Sequence, residues 1–151
     1  MIWRAVIGSC LLMAAGFVSS PQAQTPATYR IENGEVPAPL TAEPGNPARG
    51  RQTVRDMTHV TCLICHALPI PEEPDHGEIG PPLAGIGSRY SAGALRARLM
   101  DPKAFNPESI MPAYFRTDGL NRVGAEFRGR TIYTPQQIED VVAYLLSLKE
   151  P

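Results

Sequence analysis

The chain has 151 residues, 43% of them hydrophobic and 19% charged, with a formal net charge of -1. That length supports one domain with its own core, and no internal repeat of about 20–50 residues marks a solenoid. The near-neutral balance suggests no nucleic-acid partner.

Met1 to Arg4, then the apolar run Ala5 to Val18, then small residues and prolines, predict a secretory signal. The run is interrupted by Gly8, Ser9, Cys10 and Gly16. It falls short of the roughly 20 apolar residues of a membrane anchor, so no anchor is expected in the mature chain. Residues 1–23 are taken as the signal peptide, ending at Ala23, with Ala27 as the alternative end. Cys10 resembles a lipid-modified cysteine only superficially, since the apolar core continues past it, and it leaves with the signal. Cleavage removes Arg4 and no acid, bringing the formal charge to -2. The expected location is the periplasm, an oxidising compartment.

Residues 24–46 are polar and rich in proline (Pro26, Pro37, Pro39, Pro44) and are expected to form an extended arm, mobile or lying on a partner. Asn46 and Pro47 supply a helix cap and a first-turn proline, which predicts a helix from about Pro47 into Thr61.

At the end of that helix stands Cys62-Leu63-Ile64-Cys65-His66. Two thiols three residues apart on a helical turn suit addition to the two vinyl groups on one edge of a porphyrin, and the histidine directly after them is placed to bind the iron. The motif therefore predicts one covalently bound haem c. A dithiol redox pair, a zinc half-site and chance are the competing readings, and no second cysteine pair exists to complete a zinc site. An attached haem uses both thiols and leaves none for a structural disulfide or a catalytic thiolate. His59, two helical turns before His66, reads as structural. His76, in the acidic proline-rich loop from Ala67 to Gly80, reads as an exposed side chain.

Gly80-Pro81-Pro82-Leu83 follows about 15 residues later. Glycine lets the backbone approach the flat haem macrocycle closely, and Pro81 is the expected source of a carbonyl that accepts the second ring N–H of His66. Without the preceding motif the segment would be an ordinary turn. Ser91 caps a predicted helix through Ala92, Leu95 and Leu99, ended by Asp101-Pro102.

In the loop that follows, Met111 precedes Pro112, which restricts it to extended backbone and suits presentation of its sulfur to the second haem face. A packed methionine or an iron with an open sixth position are the alternatives. Met57 and Met100 fall inside predicted helices as core filler. His66 and Met111 are thus the expected metal ligands, and Cys62, Cys65, His66, Pro81 and Met111 the expected cofactor contacts. No catalytic residue is assigned.

Residues 89–130 carry eight basic side chains against four acids, an excess that suits haem propionates, an acidic partner or simply a solvated face. Gly119 to Tyr133 reads as a loop or a short extended pair. Thr134, Pro135 and Gln137 form a capping box, and Ile138, Val141, Val142, Leu145 and Leu148 an apolar stripe, predicting a terminal helix packed across the first. The expected fold is all-α.

The ordered set of Cys62 to His66, Gly80 to Leu83, Met111-Pro112 and the terminal helix resembles a class I cytochrome c over about residues 47–149. The cytochrome c domain is therefore expected at 47–151. More narrowly, Ile79 to Tyr90, Met111 to Arg116, Gly119 to Val123 and Gln137 to Leu145 resemble SoxX, the small monohaem subunit of SoxAX thiosulfate-oxidising cytochromes. That resemblance implies a heterodimer with a SoxA-type cytochrome, a SoxYZ-type carrier as substrate of the complex, and a downstream cytochrome as acceptor. It implies membership of an L-cysteine S-thiosulfotransferase complex in which this chain relays electrons and makes no bonds. A free-standing electron carrier and a gas-binding haem sensor are the other functional classes.

Overall fold

Asn46 starts the first helix, α1 (Pro47–Arg55), by accepting hydrogen bonds from the Ala48 and Arg49 amides at 2.9 and 3.1 Å. The structure is a computed structural model and describes residues 29–58 and 61–150. The expected signal peptide 1–23, residues 24–28 and His59 lie outside the described residues.

Helix α1 ends at Arg55, earlier than the sequence predicted. Asp56 leaves the helical backbone and its carboxylate accepts from the Thr58 amide at 3.0 Å, a local turn that competes with another helical turn. Met57, expected inside the helix, is therefore 67% exposed.

A short helix α2 (Ile86–Arg89) follows the Gly-Pro segment, entered through Gly85 in the left-handed region at φ 68°. Helix α3 (Ala92–Met100) is capped by Ser91, which accepts from the Ala94 amide. It is buried almost all round, and Met100 is fully enclosed. Helix α4 (Pro135–Ser147) begins with the full capping box of Thr134 and Gln137.

Helix α1 packs across α4 at Gly50, where a Cβ would stand 1.9 Å from the carbonyl of Asp140. Only glycine permits that approach. Val54, Ile138, Val141, Leu95, Met100 and Phe115 fill the core between the helices. The result is all-α, and among the described residues the sole strand-like feature is a bridge between Glu32 and Glu35. No helix among the described residues is long and apolar enough to cross a membrane.

Residues 29–46 hold no helix and lie along α3 and α4, fixed by two consecutive buried acids of α4. Glu139 accepts from the Leu40 amide at 2.9 Å and pairs with Arg96, whose third nitrogen donates to the carbonyl of Val36. Asp140 accepts from the Asn46 amide at 2.7 Å and from Arg49. Residues 116–133 are irregular apart from a tight turn at Ala125–Phe127.

Candidate haem site

Thr61 joins α1 to the cysteine motif. Its buried hydroxyl donates to the carbonyl of Val54, one of those a helix end leaves open, and accepts from the Leu63 amide at 3.4 Å. Cys62–Ile64 forms a 3-10 turn rather than the end of an α-helix, and the amides of Cys65 and His66 both donate to the carbonyl of Cys62.

A second segment runs parallel to this turn. Gly77 donates to Leu63, Gly80 to Cys65 and Leu83 to Ala67, at 2.8, 2.7 and 2.9 Å. The contact is too close for side chains: a Cβ on Gly80 would lie 2.2 Å from Cε1 of His66. Gly80 therefore makes its close approach to the imidazole itself. The next residue places its carbonyl oxygen 2.7 Å from Nδ1 of His66, as the sequence reading expected of Pro81. A nitrogen facing a carbonyl must carry the hydrogen, so the ring is held in the Nδ1–H tautomer and Nε2 keeps the basic lone pair.

Met111 reaches the same cavity from the loop after α3. Asn106 shapes that loop by accepting from the Glu108 amide on its side chain and from the Ser109 amide on its carbonyl. The hydroxyl of Ser109 then accepts from the Met111 amide at 3.2 Å. Cys62, Cys65, His66, Pro81 and Met111 all line one cavity of about 440 Å³, within the size range of small-molecule sites. Ile64, Ile79 and Ile110 line it too and are 52%, 66% and 77% exposed, so its rim is apolar and open to solvent.

Two residues that the spacing of motifs did not single out complete the site. Tyr114 and Tyr133 are buried, with ring centroids 4.5 Å apart and planes at 23°, and Tyr114 lines the cavity together with Cys62. Burial pushes the Cys62 thiol up to about 11. The only signal for Tyr114 in the sequence is its place three residues after Met111.

His76 is exposed and apart from the cavity. Two acids of its loop, Glu72 and Glu73, pair with Arg51 and Arg55 of α1. Among the described residues no cluster of three or more His, Cys, Asp or Glu forms a metal site.

The profile of the cytochrome c family matches residues 47–149. A chain in the crystal structure of SoxXA from P. pantotrophus is 35% identical, with a TM-score of 0.74, covering 85% of this chain and 100% of that one. No protein among the curated sequences matches. A cytochrome c holds haem covalently, and the donor set fits one: two thiols, an imidazole with its basic nitrogen left available, and a thioether on a shared cavity. The chain belongs to the cytochrome c family, with the class I fold, and is a SoxX-type cytochrome within it.

Proposed function

We propose that this chain is the electron-relay subunit of a periplasmic complex that joins thiosulfate oxidatively to a carrier-protein cysteine, with a SoxA-type cytochrome as its partner. The observation that carries the proposal is the placing of His66, fixed by Pro81, and Met111 on one cavity that also holds both motif cysteines. Cys62 and Cys65 would hold one haem c through thioether bonds, His66 and Met111 would supply its iron ligands, and the Pro81 carbonyl orients His66.

Haem c supplies a one-electron iron centre. With His66 and Met111 both committed to holding the iron, this chain would pass electrons and make no bonds. A thioether paired with an imidazole would raise the potential, which suits an acceptor. The exposed apolar rim of Ile64, Ile79 and Ile110 gives a partner close access to the cavity.

The bond-forming step belongs to the partner: a sulfur–sulfur bond forms between thiosulfate and the SoxYZ-type carrier cysteine, two electrons leave, and the thiol proton is released. The electrons pass through this chain to a downstream cytochrome. Similarity to a chain of SoxXA supports the partner assignment.

Purification of the native protein without dissociation, with haems counted against chains, tests this reading. A complex with a second cytochrome, whose thiosulfate-dependent reduction of this haem requires that partner and the carrier, is expected. A monohaem monomer that takes no electrons from any thiosulfate-oxidising partner would overturn it in favour of a free-standing carrier.

A further inference from the structure

The loop that presents Met111 leaves α3 at Asp101 and returns to it at Tyr114. Its own hydrogen bonds give it shape but not place. Asn106 accepts from the Glu108 and Ser109 amides, the Ser109 hydroxyl accepts from the Met111 amide, and Lys103 donates to the carbonyl of Pro107 at 3.4 Å, all within the loop. A swing of the loop as one body would break none of them. Burial adds little, since residues 103–108 are exposed and Ile110 is 77% exposed.

What places the loop is a neck of contacts with the end of α3. The guanidinium of Arg98 lies 4.5 Å from the ring centroid of Phe105, at the start of the loop, and 4.3 Å from that of Tyr90, outside it. At the other end the Tyr114 amide donates to the carbonyl of Leu99 at 3.0 Å. Arg116 then pairs with Asp101 at 3.3 Å, the two side chains being 28% and 17% exposed. Helix α3 is buried almost all round, so the neck closes on a well-packed element.

We propose that Phe105 and Arg116 are positioning residues: through Arg98 and Asp101 they close the neck of the loop, and so set the fraction of molecules in which Met111 holds its place at the iron. The inference rests on the proposed His66 and Met111 ligation.

The test uses the haem-loaded protein. Added imidazole competes with Met111 for the ferric iron, and its apparent affinity reports the fraction of molecules with the loop displaced. Phe105→Leu takes the ring from Arg98 and Arg116→Gln takes the charge from Asp101. Each is expected to raise that affinity about threefold, and the two together about tenfold. Phe105→Tyr and Arg116→Lys keep the ring and the charge and should stay near the wild-type value. Tyr90→Leu removes a ring from the same guanidinium outside the loop, and should lower the unfolding temperature without raising imidazole affinity.

Wild-type imidazole affinity in Phe105→Leu and Arg116→Gln, with or without a lower unfolding temperature, overturns the inference. So does an equal rise in Tyr90→Leu, which would place the effect in α3 as a whole rather than at the neck. Absence of the ferric sulfur–iron band from the wild-type protein would instead overturn the ligand assignment, and the inference with it.

Discussion

Gly80 supports the imidazole of His66 so closely that no side chain fits between them: a Cβ there would lie 2.2 Å from Cε1 and 2.6 Å from Nδ1. The same segment brings the Pro81 carbonyl to that Nδ1. Position and tautomer of the ring are thus set by two adjacent residues, one through its lack of bulk and the other through its oxygen.

Gly80→Ala is therefore expected to push His66 and Pro81 apart and to cost about 1–3 kcal/mol of stability as an overpacked contact. Thermal unfolding of the haem-loaded variant measures the loss, and a shifted haem spectrum at low temperature reports the displaced ring. A variant with the wild-type midpoint and spectrum would show that the segment yields freely.

Gly50→Ala places two effects in opposition. Helix propensity favours alanine by about 0.5–1 kcal/mol, but its Cβ would sit 1.9 Å from the carbonyl of Asp140 and 2.8 Å from Cβ of Tyr144. Forcing α1 away from α4 costs about 1–3 kcal/mol, so net destabilisation is expected in a urea titration. A stabilised variant would mean that the two helices separate without penalty.

Some of this architecture is legible in the sequence because the signals are local. Asn46-Pro47 and the Thr134 to Gln137 box each satisfy amides within three residues, and both helices start there. The end of α1 escapes notice because the Asp56 turn competes with helix over the same few residues, with nothing in the apolar pattern to decide between them. Helix α2 has a single turn and follows glycines and prolines that read as loop.

The order of residues 29–46 depends on partners 94 and 99 positions away, which no spacing rule reports. The same holds for Tyr114 and Tyr133. The five residues that share the cavity could be picked out in the sequence because they belong to a short motif, a proline after a glycine, and a methionine before a proline.

The arm depends on a buried ion pair. Arg96 and Glu139 are 5% and 6% exposed, bonded through two nitrogens at 2.7 and 2.8 Å. Arg96→Met leaves the carboxylate with the Leu40 amide alone and is expected to cost about 3–5 kcal/mol, the range for breaking a buried pair. Limited proteolysis should then cut within residues 36–40 before the core unfolds. Equal protease resistance in variant and wild type would show that the arm is held by its apolar contacts.

Stability should fall in acid through Asp140. Burial pushes its carboxyl up, but hydrogen bonds from Arg49, the Asn46 amide and Gln136 outweigh this and hold it below the ordinary 3.8. The folded form thus prefers the ionised carboxylate. Its contribution is complete above the unfolded-state value and is lost as pH falls through the lowered folded-state value. Asp140→Asn should lose part of the decline in urea midpoint seen between about pH 5 and pH 3. An unchanged slope would place the acid sensitivity in other carboxylates.

The ferric spectrum of Met111→Ala tests the relay most directly. If Met111 fills the sixth position, the variant loses the sulfur–iron charge-transfer band and its reduced form binds carbon monoxide, while haem stays attached through Cys62 and Cys65. A variant that keeps the band and excludes carbon monoxide would show that another group holds the iron opposite His66.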